Sequence, residues 1–420
     1  MLGWMLMLLF GIGLCLVLSR FVPLKFAFET LVLLSKLTLK LLKTLGPGCR
    51  WMLAGVQLLL YVGSLLPAFS SLIYWYLSHE GIFRDIRYGR HERNYVDVFV
   101  PARSPANDKN DNDDNHNDSK EKLESSPITK EQKHPVVLFV PGGCWVLGHR
   151  GWGVLLGQRL SERGIMTVSC DYRNFPQGTI SAMIADVTQA LQWVLNNIDH
   201  YGGDRDQIWI VGQSAGAHIA SLVMLNLFKT SVPMPINHIG DALLRPPIQG
   251  FFGISGAYDL VQAETHFVAR GLSRKLLHMI MEGEQQMPLY DPVRLLSSSS
   301  ASSSSGLGYN FTRFGSDRKP KVVLFHGKAD KTVSYTSSER LAVQLRRHSF
   351  LVKECYLERV SHTDPILERC MGAGYGETNR DLLIEEMMLA VDPTRFELVE
   401  SLHMLPRWLV RFAQCVNPFN

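Results

Sequence analysis

The 420-residue chain is poor in charge and in patterned cysteine, and each shortage excludes a class of protein. Charged residues make up 20%, and 43 Lys and Arg stand against 39 Asp and Glu, a formal excess of only +4. With so small a balance and no basic stripe interleaved with aromatics, the chain lacks the footprint of a nucleic-acid binder. The seven cysteines (Cys15, Cys49, Cys144, Cys170, Cys355, Cys370, Cys415) are odd in number and scattered, with no C-x-x-C pair. A zinc-type ligand set and a disulfide framework are excluded, and buried thiols in a reducing compartment are expected. The N-x-S/T triplets at Asn117 and Asn310 carry little weight against that. There is no internal repeat, and neither a metal nor another cofactor is expected. The length suits one large α/β domain with extra segments, or two ordinary domains.

What the chain does have is long apolar runs near its start. Met1 to Ser19 contains no charge, and neither does Trp51 to Ser78. Each reaches the roughly 20 residues that cross a bilayer as a helix. The second run carries Trp51, Tyr74, Trp75 and Tyr76 near its ends, as an interfacial aromatic belt would. The first lacks the basic n-region and small-residue cleavage site of a signal peptide, so it reads as a retained anchor. Between them, Lys25, Lys36, Lys40 and Lys43 sit among Leu, Val and Phe, as in an amphipathic helix lying on a membrane. Residues 1–80 are therefore expected to anchor the chain through two transmembrane helices, 1–19 and 51–78. Basic residues flank the second run on both sides, so charge does not decide the topology.

Residues 81–420 read as a catalytic domain. Opening strands are expected at Ile86–Gly89 and Tyr95–Pro101. An insert near 103–133 follows and is expected to be disordered, because its Asn/Asp-rich part has no apolar residue to bury. His116, among aspartates there, reads as part of a solvated loop. Apolar strands at Val136–Val140, Ile165–Cys170, Ile208–Val211, Phe251–Ile254, Val322–Phe325 and Leu351–Leu357 then alternate with helical patterns, such as Ile184, Val187, Leu191, Val194, Leu195 and Ile198. That alternation implies an α/β fold with a mostly parallel sheet flanked by helices. A Met-rich excursion near 262–295 reads as a packed helix or as a lid over an apolar pocket. A Ser-rich insert near 297–318 is expected to be disordered.

The chemistry centres on Gly212-Gln213-Ser214-Ala215-Gly216, an apolar strand before it and an Ala-rich helix after it. Strand, tight turn and helix form the context of a nucleophile elbow, with Gly212 and Gly216 allowing close approach. A serine hydroxyl needs a positioned base, and the order expected is serine, acid, histidine. Asp330 follows the strand Val322–Phe325 and is the expected acid, with Asp364 and Asp259 as competitors. His362 follows the last strand and is the expected base, ahead of His218, His326, His149 and His200. His218 is expected to pack and His326 to support the acid loop. Backbone N–H groups of Gly142, Gly143 and Ala215 are the expected oxyanion hole. Pro141 stands where a His-Gly-Gly-Gly loop would carry its histidine.

The runs Gly142-Gly143-Cys144-Trp145-Val146-Leu147-Gly148, Trp152-Gly153, Asp171-Tyr172-Arg173-Asn174-Phe175-Pro176-Gln177-Gly178-Thr179-Ile180, Gly212 to His218, and Met281-Glu282-Gly283-Glu284 resemble the isoprenylcysteine alpha-carbonyl methylesterases. So, more loosely, does Gly48-Cys49-Arg50-Trp51-Met52. The resemblance covers most of the chain outside its inserts. It implies an alpha/beta-hydrolase fold and a membrane-anchored serine carboxylesterase of the endoplasmic reticulum or Golgi, multi-pass, with its catalytic domain facing the cytosol. Its partners would be membrane lipids and prenylated, carboxyl-methylated proteins or prenylcysteine methyl esters. The Met-rich excursion would offer the prenyl tail an adaptable groove. A lipase, another acyl-ester hydrolase or an arylformamidase would use the same triad. A non-catalytic membrane scaffold of the same fold is the reading from another class.

Overall fold

The computed structural model describes residues 49–102, 133–228, 248–269, 273–299, 309, 311, 319–373 and 379–417. The apolar run 1–19, the amphipathic stretch 21–45 and the insert 103–132 with His116 lie outside these residues. The described chain opens with helix α1 (Cys49–Ser78), then strands β1 (Ile82–Arg87), β2 (Tyr95–Phe99) and β3 (His134–Val140). Next come α2 (Val154–Ser161), β4 (Met166–Cys170), α3 (Ile180–Asn197), β5 (Gly203–Gln213), α4 (Ala215–Asn226) and β6 (Gly250–Ile254). The excursion follows as α5 (Leu260–Ala269), α6 (Arg274–Ile280) and α7 (Pro292–Ser299). The chain then runs through β7 (Lys321–Gly327), α8 (Thr336–Arg347), β8 (Val352–Leu357), α9 (Leu382–Val391) and α10 (Arg407–Val416).

The eight strands form one sheet in the order β1-β2-β4-β3-β5-β6-β7-β8. β2 pairs antiparallel with both β1 and β4, and every other pairing is parallel. Side chains alternate across a strand, and β3 shows what that does here. Val136, Leu138 and Val140 join the core that contains α3 and α4, while Val137 and Phe139 join the core built from α2 and α9. A strand buried on both faces must be apolar throughout, which is why β3 reads as an unbroken hydrophobic run. In α3, Ile180, Met183, Val187, Ala190, Leu191 and Val194 form the buried stripe against the sheet, and Gly202 in the left-handed region (φ 81°) ends the short turn that follows.

The second expected transmembrane segment forms a helix, and one face of it packs on the domain. Tyr61, Leu65, Ala68 and Leu72 of α1 are buried in one apolar cluster with Val154 and Leu155 of α2 and Val410 and Ala413 of α10. The docked stretch from Tyr61 to Tyr76, whose hydroxyl donates to Asp97 at 2.9 Å, is about 22 Å long at 1.5 Å per residue. An uncharged run reads alike whether lipid or protein covers it, and here one face is covered by protein. Among the described residues, this is the one helix long and apolar enough to cross a membrane.

The excursion belongs to the main core. Leu276, Leu277, Ile280, Met281 and Met287 are buried with α4 and the sheet, and Met279 is half-buried against them. Those sulfurs fill protein interior and do not line the groove expected of them. α7 runs to Ser299, into the expected Ser-rich insert, and Tyr309 stacks on Phe311, which packs on Phe228.

Candidate active site

Because β3, β5, β6, β7 and β8 are parallel, the loops at their carboxyl ends meet at one edge of the sheet. Ser214 follows β5 directly and takes φ 53° and ψ −120°. A non-glycine residue at positive φ is strained, by about 1–3 kcal/mol, and is held there by its surroundings. The turn allows nothing larger than hydrogen at its flanks: a Cβ on Gly216 would lie 2.1 Å from the carbonyl oxygen of Val140, and one on Gly212 2.5 Å from Cα of Ala217.

His362, after β8, places Nε2 2.8 Å from Ser214 Oγ and Nδ1 2.7 Å from Asp330 Oδ2. All three residues are buried. Since Asp330 only accepts, Nδ1 of His362 carries the proton and Nε2 is left to accept from the serine hydroxyl. Asp330 Oδ1 accepts from the N–H groups of Thr332 (2.8 Å) and Val333 (2.9 Å). Its Oδ2 also accepts from His326 Nε2 at 3.1 Å. That ring's Nδ1 lies 2.8 Å from the Ser338 hydroxyl. Burial alone would push Asp330 up, but the charge of His362 and the hydrogen bonds from His326 and His362 outweigh it and hold the carboxyl well below its usual range.

The competing residues are occupied elsewhere. Asp259 pairs with Arg340. Asp364 accepts from the Ser361 N–H and from Gln414, both at 2.8 Å. His149 accepts from Gly151 N–H, and His200 is exposed. His218 packs as expected, taking the Trp145 indole N–H on Nδ1 (3.2 Å) and facing the Tyr290 carbonyl with Nε2 (2.6 Å). Burial lowers its pKa to about 4 against the opposing pull of that carbonyl.

The loop after β3 carries Gly142 and Gly143. Gly143, Cys144 and Trp145 all have positive φ (120°, 52° and 61°). The N–H groups of Gly142 and Gly143 donate to no acceptor among the described residues. Ala215 N–H opens α4, where the first amides of a helix have no partner within it. These donors sit beside Ser214 in the chain or across the β3–β5 pairing, Val140 lying opposite Gly212. Sequence reasoning passed over what holds this loop. Tyr172 Oη donates to the Pro141 carbonyl (2.8 Å), while Asn174 Nδ2 (2.7 Å) and Arg93 Nη2 (2.6 Å) donate to the Gly148 carbonyl. Phe175 N–H donates to the Trp145 carbonyl (2.8 Å). With proline at 141, the loop is fastened through its backbone oxygens. The sequence signal for this role is the Tyr172-Arg173-Asn174 run after β4.

The family model BD-FAE matches residues 125–345. The isoprenylcysteine alpha-carbonyl methylesterase ICME of Arabidopsis thaliana is 32% identical over 392 residues, 92% of this chain and 82% of the relative. The probable isoprenylcysteine alpha-carbonyl methylesterase ICMEL1 of Oryza sativa subsp. japonica is 33% identical over 401 residues, 94% of this chain and 84% of the relative. Among solved structures, esterase B from Lactobacillus rhamnosis, inhibited by a tributyrin phosphonate, superposes with a TM-score of 0.53. At 14% identity, covering 81% of this chain and 96% of that one, it bears on the fold alone. These matches put the chain among the carboxylic-ester hydrolases with an alpha/beta-hydrolase fold. Within that class it belongs to the isoprenylcysteine alpha-carbonyl methylesterase family.

Proposed function

We propose that this chain hydrolyses the methyl ester of a C-terminal farnesyl- or geranylgeranyl-cysteine to the free acid and methanol, through an acyl-enzyme on Ser214. The observation that carries the mechanism is the hydrogen-bonded chain from Ser214 Oγ through His362 to Asp330, at 2.8 and 2.7 Å. Ser214 Oγ attacks the ester carbonyl while His362 Nε2 takes its proton. Asp330 holds the ring in the required tautomer and stabilises the imidazolium. Negative charge on the carbonyl oxygen meets the N–H groups of Gly142, Gly143 and Ala215. His362 returns the proton to the departing methoxide, giving methanol. A water then attacks the acyl-enzyme by the same route and restores the serine.

The substrate rests on the relatives, whose names specify isoprenylcysteine methyl esters. Each buried methylene contributes about 0.8 kcal/mol to membrane binding, so a prenyl tail keeps its bearer at a bilayer much of the time. A membrane-associated esterase meets such a substrate in two dimensions. A position at the endoplasmic reticulum or Golgi, with the domain on the cytosolic side, belongs to the same reading. The uncharged runs 1–19 and 51–78 each have the length to span.

Two measurements test this. A fluorophosphonate label should mark the wild-type protein and spare Ser214→Ala; equal labelling of both would remove Ser214 from the mechanism. Methanol release should be far faster from a farnesylcysteine methyl ester than from its unprenylated analogue. Equal rates would leave a general short-ester hydrolase.

A further inference from the structure

The C-terminal helix α10 buries one face and leaves the other bare. Val410 and Ala413 pack with Tyr61, Leu65, Ala68 and Leu72 of α1. On the opposite side Trp408 is 69% exposed and Phe412, one turn on, 46%. Arg407 and Arg411, also exposed and one turn apart, run alongside them. A stripe of large apolar side chains edged by arginines is the pattern of a helix lying in a membrane interface, where tryptophan is enriched. α1 extends the surface: Leu60, Tyr74 and Leu77 are 48%, 72% and 42% exposed, and no charged residue occurs from Trp51 to Ser78.

We infer that α10 seats the domain on an anionic lipid surface, Trp408 and Phe412 entering the headgroup layer and Arg407 and Arg411 pairing with phosphates. This rests on the membrane association proposed above and says which face makes it. The competing occupant is the chain's own segment 1–48. That segment carries Arg20, Lys25, Lys36, Lys40 and Lys43 against a single acid, Glu29. A basic segment is repelled by a face edged with two arginines, whereas anionic headgroups attract both. The seat is also tied to the catalytic edge. Gln414 of α10 donates to Asp364 (2.8 Å), and Asn417, just beyond it, donates to Thr363 (2.6 Å), next to His362. Docking through α10 therefore brings the histidine loop close to the layer that holds a prenylated substrate.

The test uses the full chain with Cys15, Cys49 and Cys355 changed to serine and an environment-sensitive nitrobenzoxadiazole on the exposed Cys415 of α10, with the same chain carrying Cys415→Ser to subtract any label on the half-buried Cys144. Vesicles of phosphatidylcholine with 30% phosphatidylserine, a composition chosen for roughly physiological surface charge, should shift the emission to the blue and brighten it. Phosphatidylcholine alone should do so at least tenfold more weakly. Trp408→Ser with Phe412→Ser should abolish the shift, and Arg407→Glu with Arg411→Glu should remove its dependence on phosphatidylserine. Hydrolysis of p-nitrophenyl acetate without vesicles should be unchanged in both pairs, which reports an intact fold. Protein that floats with vesicles while the probe stays unshifted would overturn the inference. So would a probe already blue before vesicles are added, since segment 1–48 would then cover the face. A shift without prenyl-ester hydrolysis would keep the seat and discard the substrate reading.

Discussion

Two buried carboxyl groups stand on either side of the His362 loop, and they are held in opposite states. Asp330 faces two histidines and two backbone amides, and its carboxyl is kept ionised. Glu368 also accepts several hydrogen bonds on one oxygen, from Tyr61 (2.7 Å), Thr363 (3.0 Å) and Asn417 (3.0 Å). Its donors are neutral and its charged neighbour is Asp364, so burial and that like charge push it up to about 7. Hydrogen bonds of similar number thus have different consequences. What separates the two sites is whether a cation, or a group able to become one, stands within reach.

The largest expected effect comes from breaking the ionised side. Asp330→Asn replaces an obligate acceptor with an amide that can donate, so the His362 ring loses the partner that fixes its tautomer. Turnover should fall about 10³–10⁴-fold, with the circular dichroism spectrum unchanged. A loss under tenfold would pass the role of acid to another carboxylate.

His326→Ala probes the same carboxyl more gently. It removes one donor from Asp330 Oδ2 and leaves His362, Thr332 and Val333 in place. Hydrogen bonds to charged groups are worth about 1.5–3 kcal/mol, so denaturant unfolding should show a loss of that order. The carboxyl should rise towards its usual range, and turnover should fall less than in Asp330→Asn. Equal losses in the two variants would mean that His326 acts on the triad by more than supporting Asp330.

The two sides differ equally in how far the sequence discloses them. Ser214, Asp330 and His362 follow the ends of apolar strands that alternate with helices, so motif order alone places them on one edge. The parallel sheet is legible for the same reason. Glu368 is not, because its partners Tyr61 and Asn417 lie 307 and 49 positions away from it and carry no periodic signal. The same holds for Tyr172 and Asn174 behind the loop of Gly142 and Gly143. α1 illustrates a different limit: hydrophobicity disclosed the helix, but only the spacing of Tyr61, Leu65, Ala68 and Leu72 against the domain decides what covers it.

The smallest effect is the one that reads Glu368 directly. Its folded pKa of about 7 lies above the ordinary unfolded value of about 4.3. The folded state therefore binds more protons between those values, and the group's contribution to stability is intact below pH 4.3 and lost as pH rises through 7. Once it ionises, the penalty is about 4 kcal/mol. Glu368→Gln keeps an acceptor for Tyr61, Thr363 and Asn417, and its amide falls where Oε2 has no hydrogen-bond partner among the described residues. The variant should match the wild type closely at pH 4 and exceed its melting temperature by a few degrees at pH 8.5. A difference that stays constant with pH would show that Glu368 does not titrate in this window, and the contrast with Asp330 would then lie in donor geometry and not in charge.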